Sequence, residues 1–137
     1  MQRRQEYGFV MFERFRICLF GLLLAVLAGG CTTTITNLTP NATHRSPNGL
    51  YTIEVRWDTN QRAVIWDSLE PYIIVDGKLI PMQKSDVSPN QWRATIAVSQ
   101  PKSFVTYQFK FNYLKQGFGS KLPDSRMSRT YQLRIVE

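Results

Sequence analysis

Apolar and polar residues alternate along most of this chain after residue 50. Across residues 105–113 the apolar set is Val105, Tyr107, Phe109, Phe111 and Tyr113, with Thr106, Gln108, Lys110 and Asn112 between them. A period of two sends successive side chains to opposite faces of an extended strand. The segment therefore predicts a strand with one face in a core and one in water. The same rhythm runs through Tyr51, Ile53, Val55 and Trp57, through Trp92, Ala94, Ile96 and Val98, and through Tyr131, Leu133 and Ile135. Two further strands are predicted from Tyr72 and from Lys78. Asp76-Gly77 between them is a tight-turn signal, because both residues tolerate positive φ. Residues 83–91 read as a polar loop, and residues 114–128, with two glycines and a proline, as a long one. The short apolar run 62–66 fits no single element type. No segment beyond Cys31 keeps a helical period of 3.6 for three turns.

About seven short strands at near-regular spacing predict an all-β fold, an antiparallel β-sandwich of immunoglobulin-like type. One-sided alternation suits sheets with one face packed and the other wet. Residues 49–137 are assigned to this sandwich. Residues 31–48, rich in Thr, Asn, Ser and Pro, are expected to form a tether, with Ile35 and Leu38 in a possible edge strand.

The N-terminal pattern is different. Residues 17–28 are apolar apart from Gly21, a run of 12. That is too short to cross a hydrocarbon core of about 30 Å as a helix, but it fits the apolar region of a secretory signal. Arg14 and Arg16 precede it; Ala28, Gly29, Gly30 and Cys31 follow. This arrangement resembles the lipobox of bacterial lipoproteins. The resemblance implies removal of residues 1–30 as a signal peptide and attachment of lipid to Cys31. Acyl chains, at about 0.8 kcal/mol per buried CH₂, would then hold the protein on a membrane. Thr32, in place of the Asp that retains enteric lipoproteins in the inner membrane, implies the outer membrane.

Composition narrows the chemistry. With Cys18 in the signal and Cys31 carrying lipid, the remaining domain has no thiol for a disulfide or a metal site. From Cys31 onward there are 13 Lys and Arg against 8 Asp and Glu, a net charge of +5. The basic residues are scattered, with no block of five like charges, so no nucleic-acid patch is expected. His44 is the only histidine, and Asp58, Asp67, Glu70, Asp76 and Asp86 are spread over turns. Gly117-Phe118-Gly119 precedes no helix. No catalytic group, cofactor or metal site is expected.

The aromatics divide in two. Trp57, Trp92, Tyr107, Phe109, Phe111 and Tyr131 fall on inward phases. Trp66, Tyr72, Tyr113 and Phe118 are expected at strand ends or in loops, where a ring can stack on a sugar or anchor a partner. The stretch 72–98 followed by "VTYQFKFNY" resembles early-set immunoglobulin-like domains of the glycogen- and starch-binding type. Leu79 and Ile80 stand where that family carries its sugar-stacking tryptophan, so the resemblance implies the fold more than the ligand. Two functions are expected as alternatives. One is a lipid-anchored, non-catalytic sandwich docking onto an envelope protein. The other is a carbohydrate- or cell-wall-binding module on the same anchor.

Overall fold

A computed structural model describes Arg16 and residues 32–137. The apolar run and Cys31 lie outside the described residues. From Thr32 the chain forms β1 (Thr33–Asn37), β2 (Ala42–His44), β3 (Leu50–Thr59), β4 (Val64–Val75), β5 (Lys78–Pro81), β6 (Gln83–Lys84), β7 (Gln91–Ala97), β8 (Phe104–Gln116), β9 (Lys121–Met127) and β10 (Tyr131–Val136). One sheet has the order β1-β3-β7-β6. The other runs β2-β10-β8-β4-β5, with β9 also paired to β8. Only β2 and β10 run parallel; the other pairs are antiparallel.

The two sheets are held face to face by the residues whose alternation predicted them. Trp57 of β3 stacks on Phe111 of β8 across the interface, with ring centroids 5.7 Å apart and planes at 16°. Trp92 of β7 meets the same Phe111 edge-on at 5.6 Å. Trp57, Phe109, Phe111, Ile53 and Val55 are completely buried. Each such side chain contributes about 1.5–3 kcal/mol relative to exposure. The domain is an immunoglobulin-like β-sandwich. Asp76 and Gly77 both take positive φ, 48° and 75°, in the turn between β4 and β5, as a two-residue hairpin turn requires.

The structure departs from the pattern in four places, the first being the expected loop at 83–91, where Gln83 and Lys84 pair with Arg93 and Trp92 as β6 and Gln91 opens β7. The segment expected as a tether with a possible edge strand holds two paired strands, and the one at Ile35 is the edge strand expected there. Thr33 lies opposite Thr59 and Asn37 opposite Val55, while Ala42 to His44 pair with Arg134 to Val136. The β-branched run Thr33-Thr34-Ile35-Thr36 favours an extended chain, and the Thr33 and Thr59 hydroxyls hydrogen-bond at 2.9 Å. Of the apolar run 62–66, Val64 to Trp66 open β4, while Arg62 and Ala63 lie in the turn before it. The expected long loop is instead the end of β8, a turn at 117–120 and all of β9. That strand is almost wholly exposed, so no alternation marks it. It sits at an edge, where Pro123 is tolerated.

β9 and β10 act as one return strand along β8, broken by a bulge. Met127 faces Lys110 and Tyr131 faces Tyr107, which leaves one extra residue between the two rungs. Ser128 fills the break. Its N–H donates to Phe109 O at 2.9 Å. Its hydroxyl accepts from Phe109 N–H at 2.9 Å and donates to Arg129 O at 2.7 Å.

Candidate functional site

The end of the sandwich where the chain enters from Cys31 gathers several exposed groups. Thr32 N–H donates to Asn60 Oδ1 at 2.7 Å, in the turn that joins β3 to β4. Gln116 N–H donates to Ala63 O at 2.7 Å, which sets the β8–β9 turn beside it. β4 bulges here, because its rungs jump from Ile65 opposite Leu114 to Glu70 opposite Asn112. Ser68 repairs the ladder by donating to Ile65 O at 2.6 Å and accepting from Leu114 N–H at 2.8 Å. The detour leaves Trp66 51 % exposed, edge-on to Trp57 at 5.3 Å. Trp66 and Trp57 border an open hollow of about 350 Å³ with Thr32, Asn60 and Asn90. At the tip of the β8–β9 hairpin Phe118 is fully exposed. Gly119 takes φ 75°, and a side chain at Gly117 would come within 2.9 Å of Ser120 O. The turn therefore needs both glycines, and it presents Phe118 between them.

The other two expected contact residues are not exposed at this end, although Tyr113 packs on Trp57 at 5.5 Å. Tyr113 is 2 % exposed. It occupies an inward phase of β8 rather than a strand end, so it belongs to the core. Its hydroxyl donates to Asp124 Oδ2 at 3.2 Å. Lys115 also pairs with Asp124. That hydrogen bond, with further ones from Ser125 N–H and Tyr113, holds the Asp124 carboxyl below its ordinary value. Tyr72 is half-buried on β4, opposite Lys110, and bonds Glu70 at 3.3 Å. The Glu70 charge pushes its phenol up.

A second feature was invisible in the sequence. The outer edge of β1 pairs with nothing among the described residues, and neither does that of β9. A groove of about 600 Å³ runs between Thr33, Ile35 and Asn37 on one side and residues 126–129 with Tyr131 on the other. At its floor Asn37 Nδ2 donates to Tyr107 Oη at 3.0 Å. Burial pushes the Tyr107 phenol up, partly offset by hydrogen bonds to Asn37 and Thr39, so it stays neutral. Tyr131 stacks on Tyr107 at 6.0 Å, and the Arg129 guanidinium lies 5.2 Å over the Tyr131 ring. Neither Arg126 nor Arg129 joins an ion pair among the described residues. Only tertiary pairing brings these positions together, 91 residues apart at Ile35 and Arg126. His44 is exposed. The described residues contain no cluster of three or more His, Cys, Asp or Glu able to hold a metal.

No protein-family model and no curated protein matches the chain. Solved structures match most of the domain. Murine CRIg is similar at 11% identity and TM-score 0.43, over 77% of this chain and 99% of that one. AggA, the major subunit of aggregative adherence fimbriae type I from Escherichia coli, is similar at 9% identity and TM-score 0.45, over 79% and 97%. A chain from the structure describing T cell specificity and activation by the bacterial superantigen toxic shock syndrome toxin-1 gives 14% and 0.40, over 78% and 100%. Likeness at such identity concerns the fold alone.

Proposed function

We propose that the chain is an exported lipoprotein, held on a bacterial envelope membrane by lipid on Cys31. Its sandwich docks, without catalysis, onto another envelope protein or assembly. The observation that carries the reading is the border at Cys31. An apolar run ends in small residues and a cysteine, and a packed strand begins two residues later. Thr32 favours the outer membrane over the inner. The groove beside β1 is the docking surface. Two unpaired sheet edges flanked by Arg126 and Arg129 fit an extended acidic segment of the partner, added as a strand.

Labelled fatty acid should enter the wild type and not Cys31→Ser, which accumulates as precursor or as soluble protein. Label in the variant overturns the anchor. Cross-linking in cells should give an adduct that disappears when Arg126 and Arg129 are both changed to Glu. An adduct of unchanged yield removes the groove from the proposal. The exposed rings of Trp66 and Phe118 favour a second reading, a carbohydrate- or cell-wall-binding module. Its mark is cell-wall binding that weakens in Trp66→Ala or Phe118→Ala.

A further inference from the structure

We infer that the end of the sandwich carrying Phe118 and Trp66 lies directly on a lipid bilayer, as a second, non-covalent membrane contact beside the lipid. The inference rests on the lipid anchor at Cys31 proposed above. It starts from chain length. Thr33 already pairs with Thr59, so two residues at most separate the anchor from a packed strand. At about 3.3–3.6 Å per residue that is roughly 7 Å of reach. A domain so tethered cannot stand off, and the end of the sandwich at Thr32 must meet the headgroups.

What that end presents fits the contact. The β8–β9 hairpin runs three residues past the rung of Lys115 with Val64. Phe118 stands at the tip beyond that rung, in a closing turn tied by Gly117 N–H to Ser120 O at 2.8 Å. It carries no apolar neighbour that would cover it. Trp66, whose inner edge is fixed against Trp57, is a rigid amphipathic ring of the kind enriched at membrane interfaces. Leu122, across from Lys115, is also exposed. Arg62 and Lys121 flank these rings and make no ion pair among the described residues, while Asp67 beside Trp66 is the opposing charge. At the far end Arg45 is paired with Glu137, and Lys102 with Asp76. Free positive charge beside exposed aromatic groups suits anionic headgroups. Lys78 and Arg134 at the far end also make no ion pair among the described residues, so it is the projecting Phe118 and the Trp66 ring beside the anchor, rather than charge alone, that set this end apart.

The test uses the full chain, processed in cells and reconstituted in vesicles of phosphatidylethanolamine with phosphatidylglycerol. Phe118→Cys and Leu79→Cys each receive one polarity-sensitive fluorophore. Leu79 is 51 % exposed and lies in β5, by the turn at the opposite end. The probe at position 118 should emit at shorter wavelength on the vesicles and be quenched by lipid-borne doxyl groups. The probe at position 79 should do neither. In the wild-type background, Arg62→Glu with Lys121→Glu should reduce the preference for phosphatidylglycerol. Fatty-acid labelling is read on the same samples. If lipid is present and position 118 stays as wet as position 79, the bilayer contact is overturned while the anchor stands, and the rings are left free for a glycan. If no lipid is attached, anchor and contact fall together.

Discussion

β8 and β9 are the two arms of one hairpin, joined by seven consecutive rungs, yet they are held by different physics. β8 sends five large side chains into the core. β9 sends none. It hangs on backbone hydrogen bonds and two side-chain fastenings, Asp124 to Lys115 and Tyr113, and Ser128 to the Phe109 backbone. A strand can thus be central through burial or attached through its ladder alone, and substitutions should separate the two cases.

The largest effect is expected at Phe109→Ala, which empties a wholly buried site beside Tyr107 and Tyr131. The cost should be roughly 3–5 kcal/mol in denaturant unfolding, close to unfolding a domain with only about 5–15 kcal/mol in total. A mild result would mean that β8 is not the central strand. Ser128→Ala comes next. It strips the acceptor from the Phe109 N–H, at an expected cost of about 1–2 kcal/mol. Hydrogen exchange should show faster exchange at that amide before the rest of β8 responds. Asp124→Asn should cost less than about 1 kcal/mol, since the pair with Lys115 is partly solvated. Its pH dependence is the sharper readout. Because Asp124 is held below its ordinary 3.8, its contribution is complete above about pH 5 and fades as pH falls through the lowered value. The midpoint difference between wild type and variant should therefore close in acid. A gap that widens in acid would reverse the assignment. The smallest effect belongs to Lys110→Ala, on the outer phase of β8, at under about 0.5 kcal/mol. If it exceeded Phe109→Ala, the strand would be in the opposite register.

The same contrast explains what the sequence could reveal. β8 lies between two environments, so its residues had to alternate, and its phase was readable without coordinates. That phase already placed Tyr113 inside; reading it as a strand-end contact overlooked the parity of its own strand. β9 faces water on nearly every side, so selection for burial leaves no rhythm between Lys121 and Met127. The first half of β4 hid for another reason. Its bulge inserts residues 66–69 against a single rung region and erases the period. Trp66 and Phe118 were legible as exposed rings, but their shared end depended on which turns adjoin. Arg126 and Arg129 carried no signal, because their groove exists only once β1 and β9 lie on opposite sheets.

The parallel pairing of β2 with β10 has a consequence for the order of assembly. Arg45 and Glu137, joined by an ion pair, are 92 residues apart, and Arg134 N–H reaches back to Asn41 O. β10 sits between β2 and β8, so the ribosome supplies the strand that joins the β2 edge to this sheet after the strands on either side of it. Until then β2 has no partner strand, and β8 offers bare hydrogen-bonding groups along residues 104–107. Closing loops this long before any contact rewards them slows folding to the millisecond-to-second range typical of such β topologies. A nascent chain stopped short of Tyr131 would be a sheet with an open slot, competent to accept a strand from another molecule.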